Sequence, residues 1–297
     1  MLAPSLVALA LCSAAHGGNG RLLLSARAGA GWAGDTYLGA DMGGGAFAEL
    51  SPSARLDLSL APRLKLDATG EVSLARYQAG GFGATSGSAG VRTRWLGDGW
   101  EASLAAAAEH AAFTSGVPLG DLAAGPQVDA TTAALLTPQL RVRTGPVALR
   151  AAVTGALRSS RASGDRVGER GLAALAAAEW APCRRAALEL SLRHERVASE
   201  DPAFELRAWG GAASALLNPL GALEASAVAQ VHRAALHGGV DETAWRATLD
   251  LAHPAGPVWL VVSGGWARSA TGGAGRAVAD RATVFAGVRG SARVLSW

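Results

Sequence analysis

Leu64-Lys65-Leu66-Asp67-Ala68-Thr69-Gly70-Glu71-Val72-Ser73-Leu74 reads apolar then polar through all of its positions. A helix would scatter these leucines around its circumference. A strand puts them all on one face and the lysine, aspartate and glutamate on the other. The same alternation recurs in Arg55 to Leu60, Leu188 to Glu195, Trp245 to Leu251 and Val284 to Val294, so it runs from end to end of the chain. Tight breakers stand at Ala61-Pro62, Gly97-Asp98-Gly99, Gly145-Pro146, Pro182, Asn218-Pro219 and His253 to Pro257. Between them fall looser polar or glycine-rich stretches near residues 34 to 42, 78 to 87, 114 to 130, 161 to 169, 199 to 202, 237 to 242 and 270 to 279.

Fourteen strands fit between these breaks: 21–33, 43–60, 63–77, 88–96, 100–113, 131–144, 146–160, 170–181, 184–198, 203–217, 220–236, 243–253, 257–269 and 280–297. An even count, with short turns alternating with longer loops, predicts an all-β, antiparallel up-and-down transmembrane barrel with short periplasmic turns and longer outer loops. Strands of about 13 residues tilted by about 40° reach about 30 Å, enough for the apolar band of an outer membrane. Ala102 to Ala112 and Leu172 to Ala178 have a composition that favours helix, against their assignment as strands.

The chain has 297 residues, 49% of them hydrophobic and only 17% charged, which excludes a disordered protein. Its net charge of +3 comes from 27 basic and 24 acidic residues spread along the whole chain, and a single lysine, Lys65, stands among the arginines. That spread gives no nucleic-acid patch. Two cysteines, Cys12 and Cys183, are too few for a disulfide framework or a thiolate zinc site. Leu2 to Ala15 is a short apolar run ending in a small-x-small pattern, so residues 1–15 are expected to be a secretory signal peptide and 16–297 the barrel. No uncharged apolar run of about 18 residues follows, which excludes a helical membrane protein.

Tryptophans mark both ends of the predicted strands. Trp95, Trp100, Trp180, Trp259 and Trp297 lie by short turns or the C-terminus; Trp32, Trp245 and Trp266 lie at the long-loop ends; Trp209 falls mid-strand. Aromatic belts at two membrane interfaces have this distribution. Against it, aromatic content is only 5%, and Leu295 and Trp297 share parity with Arg289 and Arg293 instead of Val294.

With its leader, amphipathic strands and C-terminal aromatic, the chain resembles bacterial outer-membrane β-barrels of the porin-like class. A narrower similarity, carried by Gly31 to Leu38 and Phe47 to Pro52, is to barrel porins associated with exopolysaccharide loci. The class resemblance implies an outer-membrane location and a channel or export role, with no catalytic residues.

On strands of clear parity the polar faces carry Lys65, Asp67, Glu71, Arg141, Arg143, Arg150, Glu189, Arg193, Glu195, Arg246, Asp250, Arg289 and Arg293. These are expected to face the lumen, because an arginine on the lipid face near the midplane costs about 2–4 kcal/mol. They would form either a charged, water-filled eyelet with mild anion preference or a plug of salt bridges spanning the lumen. A passive channel for small hydrophilic solutes is the leading function. An outer-membrane component of a polysaccharide or other export pathway, working with periplasmic partners, is the second, and a secreted soluble β-rich binding module packed as a sandwich is the third. The expected partners are outer-membrane lipid and solute.

An enzyme is not expected. Ser191 and His194 have opposite parity and cannot hydrogen-bond within one strand. His110, His232, His237 and His253 lack nucleophile or metal-ligand spacing. Asp67 and Glu71 lie about 13 Å apart along a strand, too far for a carboxylate pair. Asp35, Asp41, Glu200, Asp201, Asp241 and Glu242 are read as solvated outer-loop charges without EF-hand spacing, and Gly43 to Gly45 and Gly272 to Gly275 as strand or loop glycines instead of phosphate cradles. No cofactor and no metal is implied.

Overall fold

A computed structural model describes residues 19–37, 40–41, 45–77, 83–113, 130–162, 165–218, 223–236, 241–271 and 278–296. The expected leader, the two glycine clusters up to Gly44 and from Gly272, and Trp297 lie outside these residues. Fourteen long antiparallel strands form one closed sheet. They are β1 (Asn19–Tyr37), β2 (Gly45–Ala61), β3 (Leu64–Tyr77), β4 (Gly83–Leu96), β5 (Trp100–Phe113), β6 (Ala130–Thr144) and β7 (Val147–Ala162), followed by β8 (Asp165–Cys183), β9 (Ala186–Ser199), β10 (Leu206–Leu217), β11 (Glu224–Leu236), β12 (Asp241–Ala255), β13 (Val258–Thr271) and β14 (Val278–Ser296). Each pairs with its chain neighbours, and β1 pairs with β14 from Arg21↔Ser296 to Tyr37↔Ala279, so no edge is left open. The described strands form one closed sheet and not the two facing sheets that a soluble sandwich needs, so that expectation falls.

The turns follow from their residues. β6 to β7 and β12 to β13 are two-residue hairpins in which Gly145 (φ +58°) and Gly256 (φ +66°) take the first central position and proline the second. A type II′ turn requires that positive φ and twists in the sense of the strands it joins. The strand boundaries depart from expectation in several places: β1 runs on to Tyr37, β4 begins already at Gly83, β10 begins only at Leu206, and two connections change character. Residues 161 to 169 are not a long loop: β7 and β8 run on until Ala162 pairs with Asp165. The turn at Asn218 is longer than a tight hairpin, since β10 ends at Leu217 and β11 begins at Glu224. The alanine-rich stretches are strands, in β5 and β8, because cross-strand pairing on both sides overrides their helical propensity.

Burial is inverted relative to a soluble protein. Leu157, Leu172, Leu190, Leu192 and Trp209 are 60–69% exposed, while Ser51, Ser103, Glu195 and Glu242 are buried. Large apolar side chains cover the outside of the sheet, and polar ones turn inward. A small cluster of Leu22, Leu56, Leu58 and Ala68, with Ala54 and Leu66 against it, packs beside the turn from β2 to β3. Trp32, Trp209, Trp245 and Trp266 point outward at the long-connection end, and Trp95, Trp100 and Trp180 do so at the short-turn end. Trp209 is therefore a belt residue and not mid-strand, because β10 starts only at Leu206. Trp259 leaves the belt: the alternation of β13 turns it inward, opposite to exposed Leu260.

Leu190→Arg on the outward face of β9 is expected to cost about 2–4 kcal/mol of stability in urea-dependent folding into lipid vesicles. Ala198→Arg, at the upper end of the same strand, should cost at most about 1 kcal/mol.

Candidate functional site

The fold gathers most of the interior charge into a collar a few residues in from the short-turn end. Cross-strand register there sets like charges directly opposite one another: Arg141↔Arg150 on β6 and β7, and Glu179↔Glu189 on β8 and β9. Such neighbours repel. The repulsion is relieved by pairing to the next strand but one. Arg141 reaches over β7 to Glu179, and Arg150 reaches over β8 to Glu189 at 2.8 Å. The residues crossed are Ala148 and Ala177, which are 4% and 8% exposed beneath these side chains. A larger residue at either position would lift the pair off the wall.

The pattern continues on both sides. Beside the collar Arg94 holds Asp67 at 2.6 Å and stands 4.0 Å from Glu101; farther up, toward the long connections, Glu195 receives both Arg158 (3.0 Å) and Arg193 (2.7 Å). A cavity of about 260 Å³ lies against this wall, lined by Arg92, Arg94, Glu101, Gln139, Arg141, Arg150, Glu179 and Glu189 over Ala148 and Ala177. On the far wall Arg289 pairs with Glu224 (3.2 Å) and lies 5.4 Å from the Trp259 ring. Arg27 sits 4.1 Å over the Phe285 ring and donates to Ser263 Oγ at 3.1 Å. Phe285 in turn stacks with Phe47, the ring centroids 6.3 Å apart. These rings lie flat because glycines face them: a Cβ on Gly287 or Gly31 would come within 2.7 Å of Phe285 or Phe47.

All thirteen residues named from parity sit on strand faces opposite to the exposed leucines and tryptophans. Asp67, Arg141, Arg150, Glu189, Arg193, Glu195 and Arg289 enter ion pairs. Arg143 bonds to the carbonyl of Gly145 at 3.3 Å. Lys65, Glu71, Arg246, Asp250 and Arg293 have no ion pair among the described residues. Sequence reasoning missed Arg94, Glu101, Arg158, Glu179 and Glu224. Arg94 and Glu179 could have been found, since each precedes an outward tryptophan and so takes the opposite face.

Fourteen strands about 4.8 Å apart and tilted about 40° enclose a ring of about 28 Å backbone diameter. The ion pairs run along the wall between strands at most three apart, the widest being Arg289 of β14 with Glu224 of β11. Among the described residues none crosses the lumen, and so these pairs do not form the plug that sequence left open.

Ser191 faces inward and His194 outward, where the imidazole stacks on Trp209 with centroids 4.0 Å apart. His110 bonds Thr132 at 2.9 Å on the outer face. Four of the residues read as loop charges are strand residues: Asp35 lies in β1, Asp41 in the two-residue strand Ala40–Asp41, and Asp241 and Glu242 open β12, where Glu242 is fully buried against Ser269. No group of three metal-binding side chains occurs among the described residues.

No protein-family model and no curated protein sequence matches this chain. Solved structures do. The Pseudomonas putida toluene transporter TodX aligns over 92% of this chain and 89% of its own, at 9% identity and a TM-score of 0.51. OmpT of Vibrio cholerae, expressed in the outer membrane, aligns over 93% and 98%, at 9% identity and a TM-score of 0.55. An anion-selective porin from Comamonas acidovorans aligns over 93% and 100%, at 13% identity and a TM-score of 0.50. The fold is that of porin-like outer-membrane β-barrels.

A double-mutant cycle on Arg150→Ala and Glu189→Ala is expected to give a coupling of about 0.2–1 kcal/mol, as for solvated ion pairs. Repeated in an Ala177→Leu background, the coupling should vanish.

Proposed function

We propose that the chain is an outer-membrane channel that passes small hydrophilic solutes through a charged lumen. The observation that carries this reading is the course of the collar ion pairs along the wall. They tie guanidinium and carboxylate side chains to the barrel and away from its axis. Alanines on the inward face, such as Ala105 and Ala152, keep the wall thin just above the collar, below the Arg158–Glu195–Arg193 pairs. Because Arg141 and Arg150 are each matched by a glutamate, the intact collar is weakly selective. The chain acts without a catalytic step or cofactor, and it reaches the outer membrane after removal of residues 1–15, which the mass of the mature protein would check. Similarity to the toluene transporter and the anion-selective porin supports a barrel that transports; the solute proposed here follows from the polar collar.

Folded protein in planar bilayers is expected to give discrete conductance steps. Glu179→Gln with Glu189→Gln frees two guanidinium groups and should shift the reversal potential in a salt gradient toward anions. Arg141→Gln with Arg150→Gln should shift it toward cations. A barrel that migrates as folded on unheated detergent gels and yet conducts nothing would overturn the channel reading.

A further inference from the structure

The outer rim above the apolar band shows a charge pattern that the lumen does not explain. On β8 the outward positions run Trp180, Ala178, Ala176, Ala174 and Leu172, then Arg170 and, beyond Gly168, Arg166. From Trp180 to Arg170 is about 33 Å of strand, or about 25 Å of height at a tilt of about 40°, the thickness of an outer-membrane apolar band. Arg170 therefore stands at its upper edge. Register places Arg196 of β9 directly opposite Arg207 of β10, and Arg161 of β7 directly opposite Arg166. Arg170 pairs with Ala198, one outward position above Arg196. All five arginines are exposed.

Like charges opposed in this way cost stability unless something neutralises them. In the lumen glutamates do so. At the same height elsewhere on the outer face aspartates do so: Arg233 pairs with Asp241 at 2.8 Å and Arg268 with Asp280 at 3.9 Å. Across β7 to β10 none of the five has an ion pair with a described residue. Glu200 accepts from the Gly168 amide at 3.3 Å, and neither Asp165, beside Arg166, nor Glu205, two residues before Arg207, forms an ion pair with a described residue. Glu169 and Glu195 belong to the inward face, on Ser160 and on Arg158 and Arg193.

A second, independent feature lies beside Arg170. An apolar depression of about 370 Å³ is lined by Ala134, Leu136, Gly155, Leu157 and Arg170 among others. Gly155 interrupts the outward row of β7 between Val153 and Leu157, and a Cβ there would meet nothing within 4 Å. A groove for a hydrocarbon chain thus ends at an unpaired guanidinium. The His194–Trp209 stack lies one outward position below Arg196 and Arg207, where an interfacial ring belongs.

We infer that the outer face of β7 to β10 is a binding site for a phosphorylated lipid of the outer leaflet. Arg170, Arg196 and Arg207 hold a headgroup phosphate by charge-assisted hydrogen bonds, and an acyl chain lies over Gly155. Arg161 and Arg166, farther out, meet further anionic groups of the same headgroup. The inference rests on the outer-membrane reading and on the long connections facing outward.

The folded barrel, purified in neutral detergent, is titrated with bisphosphorylated lipid A, with the same lipid stripped of phosphate, and with inorganic phosphate, and binding is read by native mass spectrometry. Lipid A should bind at least about tenfold more tightly than the phosphate-free lipid, and Arg196→Gln with Arg207→Gln should remove about tenfold of that affinity. Gly155→Leu should weaken lipid A binding with every arginine in place. Without lipid, the double-arginine variant should be no less stable than the parent, because a repulsion has been removed. Equal affinity for the phosphate-free lipid, unchanged binding by the variants, or full displacement by millimolar phosphate would overturn the site. All variants are checked for folded migration and conductance. A barrel that conducts and fails to bind lipid sinks only this site; one that binds lipid and fails to conduct sinks only the channel.

Discussion

Everything in this structure depends on one constraint: a backbone placed in hydrocarbon must satisfy every N–H and C=O from within. A sheet can do so only by closing, and pairing of β1 with β14 along almost their whole length closes this one. Closure then dictates the rest. Every strand has one face toward lipid and one toward the interior, so side chains must alternate. Large apolar residues go outside and charged ones inside, which explains how Leu192 can be 69% exposed while Glu242 is fully buried.

Charge is handled in two ways on the two faces. Inside, register brings arginine beside arginine and glutamate beside glutamate, and the conflict is resolved by bridges that cross the intervening strand over an alanine, Ala148 or Ala177. Outside, the arginines of β7 to β10 are given no such partner. Five of the basic residues that look evenly spread along the chain are thus gathered by the fold on one part of the rim, since four consecutive strands deliver them to similar heights. The interior arginines are close to matched by acids, so the unmatched basic charge is a property of the lipid-facing surface more than of the pore.

Much of this was legible in the residues, and the failures have physical causes. Leu64 to Leu74 announces its strand because each position contrasts with the next. Ala102 to Ala112 does not, because alanine suits both faces of a barrel wall and removes the contrast that parity needs. The β7 to β8 hairpin reads as a loop because its arginines and glycines look like a solvated connection; they continue the strands above the apolar band, where outward charge meets water and headgroups instead of hydrocarbon. Face could be read within one strand, and so the thirteen interior residues were named. Partners could not, since Arg141 meets Glu179 only through the registers of two successive strand pairs. Asp241 and Glu242 show the limit most sharply: adjacent in sequence and alike in chemistry, they end on opposite sides of the wall.

The rings lying on glycine at the junction of β1 and β14 bear on how such a molecule assembles. Gly29 is paired with Gly287, the Phe285 ring covers both, Phe47 covers Gly31, and Arg27 lies over Phe285 and bonds Ser263 from the other end of the chain. Apart from Phe47 over Gly31, which needs only β1 and β2, none of these contacts is available to an open sheet, because each joins the first strand to one of the last two. Their sequence separation, 236 residues for Arg27 and Ser263, makes them the most expensive in loop entropy and the latest to be rewarded. The junction is therefore a latch in time as well as in space: an open sheet, its ends still unpaired, gains nothing from Phe285 until the moment of closure, and a closed barrel must lose all of it together before it can reopen.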